Sequence, residues 1–269
     1  MKNIKLDLKE ISYIYELMLY LKNYKINFHQ IILNKDNQII ISKNNNIYVL
    51  MKIKENNNNK INSLFLSNFR KHPLLLDNKK LYMWRELWIE KIDYFEYQLN
   101  EYKKKYPLLY EISDYFIGMV EISIQLMNTN YFRMLSLNEP QYIAHKRINT
   151  NLKVKDLYDP FNIVIDSYLR DYGDYYKDEF FFGEMCDITG YIEINKLDNL
   201  YILFIRLLYI TPFFDNMEQI IKEEKKEIIL NKLIPRVKLY DNQLNKLYNF
   251  LIKKDKIIRI DYFENKIVI

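Results

Sequence analysis

The sequence is poor in the three residues that support disulfide-bonded and turn-rich proteins. Among 269 residues there are one cysteine, four glycines and six prolines. The single cysteine, Cys186, excludes an intramolecular disulfide and is typical of a reducing, cytoplasmic environment. The scarcity of glycine and proline disfavours sandwiches and propellers, which need many tight turns. No glycine-rich phosphate-binding loop of the G-x-G-x-x-G or Walker type occurs either.

Long apolar runs and an excess of charge of one sign are also missing. The first 22 residues contain three acidic side chains, so they offer no apolar signal-peptide core. The most apolar stretch, residues 200–214, includes Arg206 and Pro212 and is too short for a bilayer span, so we predict a buried helix and no membrane insertion. Forty basic and 35 acidic residues are interspersed and give a net charge of +5, which argues against a nucleic-acid-binding surface.

Apolar residues are plentiful, and their spacing predicts a helix followed by a small sheet. They make up 49% of the chain, which is enough to bury a sizeable core. Apolar positions three and four residues apart predict an amphipathic helix: Ile11, Ile14, Met18 and Leu21. Residues 39–52 contain two β-rich runs around three asparagines, a hairpin signal because asparagine tolerates positive φ. Residues 55–60 (ENNNNK) predict a solvated loop.

From residue 81 onward the pattern is helical. A single stripe of large apolar side chains predicts a long helix over residues 81–102: Trp84, Trp88, Ile92, Phe95, Leu99 and Tyr102. A second helix is predicted over residues 108–127, in which Gly118 costs about 1 kcal/mol relative to alanine and therefore indicates close helix packing. Residues 200–210, apolar on all sides, predict the central helix, and residues 237–251 predict a last amphipathic one.

This order of elements predicts an α+β protein with two lobes. Residues 1–80 form a reduced N-terminal lobe, a helix plus a small antiparallel sheet, and residues 81–269 form a mostly helical C-terminal lobe. Within the second lobe, residues 143–171 interrupt the helices with a β-loop unit that contains a histidine and an aspartate. This layout matches a degenerate protein-kinase-like fold better than a helical bundle or a doubly wound sheet.

The β-loop unit holds the candidate site. A short extended segment ends at His145, and an apolar run, residues 161–165, ends at Asp166. Kinase-like folds bind metal with an acid at the end of a buried strand and bind phosphate with a strand lysine. Asp166 is therefore the candidate metal ligand, and Lys52, at the end of the predicted hairpin, is the candidate phosphate-binding residue. The alternatives are structural: Asp166 caps the helix that follows, and Lys52 is an ordinary exposed strand lysine.

The separation of 166 − 145 = 21 positions between His145 and Asp166 resembles the gap between the catalytic-loop histidine and the metal-binding aspartate in aminoglycoside-phosphotransferase-like kinases. Those enzymes have His-Gly-Asp where this chain has His-Lys-Arg. The resemblance therefore puts Arg147 at the base position, and a guanidinium cannot accept a proton at neutral pH. We predict that Arg147, or failing that Lys146, neutralises Asp166 or Asp171, and that Arg170 forms an ion bridge that fixes the loop.

Three stretches carry a more specific resemblance: HKRI, LYDPFNIVIDSYLRDYGDYYKDEFF and YFIGMVEISIQLM. They resemble the bacterial spore-coat kinase-like family of the CotS and YutH type, and the likeness covers residues 81–251. The resemblance implies an aminoglycoside-phosphotransferase-like fold and an association with the spore coat in Firmicutes. It is closest to the YutH branch, whose catalytic loop also departs from His-Gly-Asp, and it implies no kinase activity there.

We therefore predict a catalytically inactive kinase-like protein, a pseudokinase, that acts as a scaffold or binding component associated with the spore coat. It would work without a cofactor, bind protein partners such as coat components, bind no nucleic acid, and reside in the cytoplasm or the spore coat. Two alternatives stay open: an active small-molecule phosphotransferase that uses Mg-ATP, and a helical interaction protein unrelated to kinases.

Overall fold

The protein consists of two compact units, the first comprising Met1–Pro73 and Tyr142–Ile165 and the second Leu74–Gln141 and Asp166–Ile269. The computed structural model describes residues 2–4, 8–24, 26, 28–44, 46–70, 73, 74, 84–138, 140–184, 186–222 and 227–264. The predicted division at residue 80 put residues 142–165 in the helical domain, whereas their contacts group them with the first unit. The prediction of an α+β protein is confirmed.

The first unit combines strands and short helices. Its strands are β1 (Lys2–Ile4), β2 (Gln30–Ile32), β3 (Ile40–Lys43), β4 (Asn46–Lys52), β5 (Tyr142–His145) and β6 (Ile163–Asp166). Its helices are α1 (Leu8–Leu21) and α2 (Ser63–Arg70), with 3-10 turns at Lys22–Tyr24, Val154–Tyr158 and Pro160–Asn162. The first four strands form an antiparallel sheet around β4, and β5 pairs with β6 in a separate sheet. Asp166, the last residue of β6, is grouped with the second unit.

The predicted hairpin is confirmed in β3 and β4. Their antiparallel register ends with Lys43 opposite Asn46. Asn44 in the turn has a φ of 51°, the left-handed conformation that asparagine tolerates. β2 and β3 pair with one edge of β4, and β1 pairs with the other edge. Residues 33–39 form the loop between β2 and β3.

Residues 55–60, predicted to be a solvated loop, take part in a backbone hydrogen-bond ladder. The Val154 N–H donates to the Asn59 carbonyl at 2.9 Å, and the Lys155 N–H donates to the Asn57 carbonyl at 3.0 Å. Most of the side chains in this stretch are exposed, as their composition indicated. These hydrogen bonds could not be predicted from local sequence, because residues 57–59 and 154–155 are far apart along the chain.

The two helices of the first unit differ in how well the sequence predicted them. α1 buries the predicted stripe of apolar side chains: Ile11, Ile14, Met18 and Leu21. α2 was missed because eight residues are too few for the helical repeat to stand out, and it buries Leu66 and Phe69. The Asn62 side chain caps α2 by accepting the Leu64 N–H at 3.1 Å.

The second unit is helical and is organised around one buried helix. Its helices are α3 (Trp84–Tyr102), α4 (Pro107–Met127), α5 (Asn130–Asn138), α6 (Leu169–Phe182), α7 (Thr189–Ile194), α8 (Leu197–Leu208), α9 (Thr211–Lys222), α10 (Leu230–Ile252) and α11 (Asp261–Glu264). Every residue of α8 from 200 to 208 is buried, and α8 packs against α4, α6 and α10. The prediction of a central helix over residues 200–210 is confirmed.

α3 buries the stripe that periodicity predicted, with one exception. Five of the six predicted side chains of α3 are buried: Trp84, Trp88, Ile92, Phe95 and Leu99. The sixth, Tyr102, is exposed because it is the last residue of the helix. Pro107 occupies the first turn of α4, where its missing N–H is harmless. Phe116 of α4 stacks on Phe213 of α9 with ring centroids 3.7 Å apart.

One apolar segment of the described residues, Leu197–Lys222, has the length and composition of a membrane span, with a mean hydropathy of 1.4. It consists of α8 and α9, and 78% of its apolar window is buried inside the protein. Burial of this kind is what the core helices of a folded domain show. The segment therefore agrees with the buried helix that the sequence predicted.

Two glycines of the helical unit have opposite surroundings. A Cβ built on Gly173 of α6 would lie 2.7 Å from Cγ of Arg206, whereas a Cβ built on Gly118 of α4 would meet no atom within 4 Å. The prediction that close helix packing explains Gly118 is therefore wrong. The close approach occurs at Gly173, where α6 packs against α8.

This difference predicts opposite effects of the same substitution. Gly173→Ala should lower the free energy of unfolding by about 1–3 kcal/mol, because the new methyl group must displace the stem of Arg206. Gly118→Ala is the matched control and should be neutral or stabilising by up to about 1 kcal/mol, because alanine favours the helix. Urea unfolding followed by circular dichroism measures both. Equal effects would contradict the close packing of α6 against α8.

Candidate functional site

His145 is a buried structural residue of the first unit. It ends β5, and its Nε2 lies 2.9 Å from the carbonyl oxygen of Leu157. Because a carbonyl can only accept, Nε2 carries the proton in this hydrogen bond. The ring also meets Phe69 of α2 edge-on, with centroids 4.9 Å apart. His145 therefore links β5 to the 3-10 turn Val154–Tyr158.

The backbone after His145 is held by Asn162. The Lys146 N–H donates to the Asn162 carbonyl at 2.7 Å. The Asn162 side chain accepts the Arg147 N–H and donates to the Arg147 carbonyl, both at 3.3 Å. The side chain of Arg147 is exposed. The role of Asn162 in holding the backbone of Arg147 appears only in the folded chain.

Lys52 lies at the exposed end of β4, opposite Gln30 of β2. A cavity of about 330 Å³ in the same unit is lined by residues of α1 and β2 and by Lys54, not by Lys52. His29 also lines this cavity, and its Nδ1 accepts the Lys54 N–H at 3.3 Å. Burial lowers the pKa of His29, so the ring is neutral near pH 7. A phosphate-binding role for Lys52 stays a prediction.

Asp166 begins the second unit, and its carboxylate is bound by protein donors on both oxygens. Oδ2 accepts the indole N–H of Trp84 at 2.9 Å and Nη1 of Arg170 at 2.8 Å. Oδ1 accepts the N–H of Ser167 at 2.7 Å. The hydroxyl of Ser167, not Asp166, accepts the Leu169 N–H at the start of α6, at 3.2 Å. Asp166 is thus the acceptor of an ion pair rather than the cap of α6.

Arg170 supplies the guanidinium that we expected Arg147 to provide for Asp166. Burial alone would lower the pKa of Arg170, but the carboxylates of Asp166, Asp174 and Asp171 outweigh it and raise the pKa above its usual value. The ion bridge predicted for Arg170 is confirmed, with Asp166 as its partner. The pairing of Arg147 itself stays a prediction.

One turn further along α6, Asp174 forms a second ion pair that is more deeply buried. Its Oδ1 lies 2.9 Å from Nζ of Lys177, and its Oδ2 lies 2.7 Å from Nη2 of Arg206. Burial alone would raise the pKa of Asp174, but Arg206 and Lys177 hold it well below its usual range. Thr211 donates its hydroxyl to the same carboxylate at 3.2 Å. The Asp174 carboxylate is therefore charged, and both of its oxygens have partners.

Lys177 has no exposed surface, yet all three of its protons have acceptors. Besides Asp174, Nζ donates to the carbonyls of Tyr209 at 2.7 Å and Arg206 at 3.1 Å. Burial lowers the pKa of Lys177 to about 8, although Asp174 opposes this shift. We call Asp166, Arg170, Asp174, Lys177 and Arg206 the buried ion network.

Aromatic rings of α3 form one wall of the buried ion network. Trp84 and Trp88 stack with centroids 5.7 Å apart, and Trp88 stacks on Tyr209 at 4.7 Å. The guanidinium carbon of Arg206 lies 5.1 Å from the Trp84 ring and 5.6 Å from the Trp88 ring, within cation–π range. Sequence reasoning missed Asp174, Lys177 and Arg206. The available signal was an arginine inside the most apolar helix, which needs an acid to be buried.

The fold and the buried ion network define the class of the protein. It is an α+β protein with a small antiparallel-sheet unit and a helical unit whose strand-end carboxylate belongs to a buried ion network. A family model described as "Spore coat putative kinase YutH" matches residues 1–251, and the chain belongs to this family. The match confirms the predicted family, extends it to the first unit, and associates the chain with the spore coat. No curated protein matches the sequence.

The burial of Asp174 predicts a large loss of stability when its charge is removed. Asp174→Asn leaves Lys177 and Arg206 without a counter-ion and should lower the free energy of unfolding by about 3–5 kcal/mol. Asp187→Asn is the matched control, because Asp187 pairs with Lys246 at 2.7 Å on the surface and such pairs contribute at most about 1 kcal/mol. Chemical unfolding of both variants measures the difference. Equal losses in the free energy of unfolding would contradict the ion pairing of Asp174 in the core.

The same carboxylate predicts a pH dependence of known sign. The pKa of Asp174 is lower in the folded chain than in the unfolded chain, so its stabilisation is present above its unfolded pKa and is lost as the pH falls. The gap in unfolding free energy between the wild-type protein and Asp174→Asn should therefore shrink below about pH 4. Unfolding curves over a pH series test this. A gap that widens in acid would contradict it.

Proposed function

We propose that this chain is a catalytically inactive kinase-like protein that serves as a scaffold or binding component of the spore coat. The observation that carries the proposal is the ion pair between Asp166 and Arg170. In kinase-like enzymes an acid at this position binds a metal ion. Here its charge is already balanced by a side chain one helical turn away.

The surroundings of Asp166 do not fit magnesium. Arg170 and Trp84 both bind Oδ2, and the Ser167 N–H binds Oδ1. An ion on Oδ2 would lie within a few ångströms of a fixed guanidinium charge, and like charges repel strongly where water is excluded. Among the described residues, no group of three or more histidine, cysteine, aspartate or glutamate side chains is placed to share a metal ion.

A proton acceptor is missing at the base position as well. The family resemblance assigns this position to Arg147, whose backbone is fixed by Asn162. Arginine keeps its proton at any pH at which the protein is folded, so it cannot activate a substrate hydroxyl. Loss of a general base typically costs about 10²–10⁴-fold in rate. Both departures support a role in which the fold is used for binding.

The alternatives differ from this proposal in what they predict. An active phosphotransferase would bind Mg-ATP and turn it over, and nothing around Asp166 favours that. A helical interaction protein unrelated to kinases is less well supported, because a family described as a putative kinase matches residues 1–251. A scaffold needs only the folded surfaces of the two units.

The proposal predicts no binding or turnover of Mg-ATP. Isothermal titration of the full chain with Mg-ATP should give no heat beyond dilution, and incubation should release no phosphate above the rate without protein. Asp166→Ala is the control for contaminating ATPases, because it removes the candidate metal ligand. Phosphate release that disappears in this variant would sink the proposal and identify an active enzyme.

A second prediction uses magnesium without nucleotide. Millimolar MgCl₂ should leave the melting temperature of the wild-type protein unchanged, because Arg170 already neutralises Asp166. Arg170→Met should lower the free energy of unfolding by about 3–5 kcal/mol, and magnesium should recover part of the loss. Arg147→Met, the same change at an exposed position, is the matched control and should cost less. A magnesium-dependent melting temperature in the wild-type protein that Asp166→Asn abolishes would contradict the assignment.

A further inference from the structure

The helical unit carries an acidic surface on two neighbouring helices. α3 and α4 together hold eight acidic and two basic residues, a net charge of −6. All eight acids are exposed: Glu86, Glu90, Asp93, Glu96, Glu101, Glu111, Asp114 and Glu121. Burial and the neighbouring carboxylates of Glu121, Asp93 and Asp114 raise the pKa of Glu96, so the acids of the two helices lie close enough to repel. We call this surface the acidic face.

The acidic face also offers apolar contact area and room for a partner. Leu87, Tyr94 and Tyr97 are exposed on α3, and Tyr97 keeps 64% of its surface. On α4, Gly118 lies one turn from Asp114 in one direction and one turn from Glu121 in the other, with open space above its backbone. A side chain from another molecule can therefore approach the helix closely between carboxylates.

α10 carries the opposite charge. α10 (Leu230–Ile252) holds four basic residues and one acidic residue, a net charge of +3, and Lys253, Lys254 and Lys256 follow its end. Seven positions three and four residues apart form one exposed stripe: Lys232, Pro235, Leu239, Asn242, Lys246, Asn249 and Lys253. Lys238 and Lys254 are exposed beside it. We call this surface the basic face. Like the acidic face, it mixes charge with exposed apolar side chains.

Among the residues that the structure describes, the side chains of both faces are mostly exposed, and Lys246 of the basic face pairs with Asp187. α4 and α10 both pack their apolar sides against α8, so their charged sides face the solvent. The helices are also comparable in length: α3, α4 and α10 have 19, 21 and 23 residues, or roughly 28–35 Å at the rise of an α-helix. Opposite charge, similar length and shared apolar content make the two faces complementary.

We propose that the acidic face of one copy docks on the basic face of another. The two faces are different surfaces, so one copy can contact two others, one through each face, and such heterologous contacts form rings or open assemblies. Charge complementarity mainly sets the orientation and the rate of encounter, while the exposed apolar side chains add contact area. The inference goes beyond the proposed function and does not use Asp166, so it would stand if the chain bound nucleotide.

Sedimentation of the full chain tests the proposal directly. At low salt the weight-average mass should rise with protein concentration above the 33.2 kDa of one chain. In 0.5 M salt it should return to that value, because the Debye length falls to about 3–4 Å. A mass of one chain at low salt and the highest soluble concentration would overturn the proposal.

Charge reversal identifies the faces. The acidic-face variant combines Glu90→Lys, Asp93→Lys and Asp114→Lys, and the basic-face variant combines Lys232→Glu, Lys238→Glu and Lys253→Glu. Each should weaken self-association at least about tenfold. A variant with all six changes should associate again, because its faces are complementary in the reverse sense. Circular dichroism confirms that each variant is folded.

Net charge is controlled separately from position. The acidic-face variant raises the net charge from +5 to +11, and the six-fold variant returns it to +5. A matched control reverses three exposed acids elsewhere, Glu16→Lys, Asp36→Lys and Glu193→Lys, and also reaches +11. This control should associate as the wild-type protein does.

Three outcomes would overturn the proposal. The first is a control variant that associates as weakly as the acidic-face variant. The second is a six-fold variant that stays a single chain. The third is duplex DNA binding that the basic-face variant abolishes, without salt-sensitive self-association of the wild-type protein, which would assign the basic face to nucleic acid.

Discussion

The helical unit depends on the ionic contacts of one buried carboxylate. Asp174 binds Lys177 within α6 and Arg206 in α8, so it joins α6 to the central helix. Arg206 passes close to Gly173 and lies over the ring of Trp84, which brings α3 against the same guanidinium. Removing three charges from water is costly, and the structure offsets that cost by giving the carboxylate and the lysine a full set of partners.

α6 also supplies the cation of the candidate site. Arg170 lies one turn before Asp174 and neutralises Asp166, so α6 provides both acids with cations of the protein itself. A metal ion bound to Oδ2 of Asp166 would compete with this guanidinium. The chain belongs to a family described as spore coat putative kinase, and the proposal of an inactive role rests on this ion pair.

Folding gathers charged residues that are dispersed along the sequence into separate surfaces. Acidic and basic residues are interspersed along the chain, and their balance argued against a nucleic-acid-binding surface. Helical packing changes this, because the apolar stripes of α3, α4 and α10 face inward and leave the charged positions outside. An acidic face and a basic face result on one unit, and only the basic run at residues 253–256 is visible in the sequence.

The sequence by itself determined the α+β class, the hairpin of β3 and β4, the stripes of α1 and α3, the central helix and the family, because each of these is encoded by neighbours a few residues apart. Only the tertiary structure decided which charges meet. Arg206 is 32 positions from Asp174, and nothing local names that partner. Asp166 pairs with Arg170, because the first turn of α6 brings this guanidinium back to the end of β6.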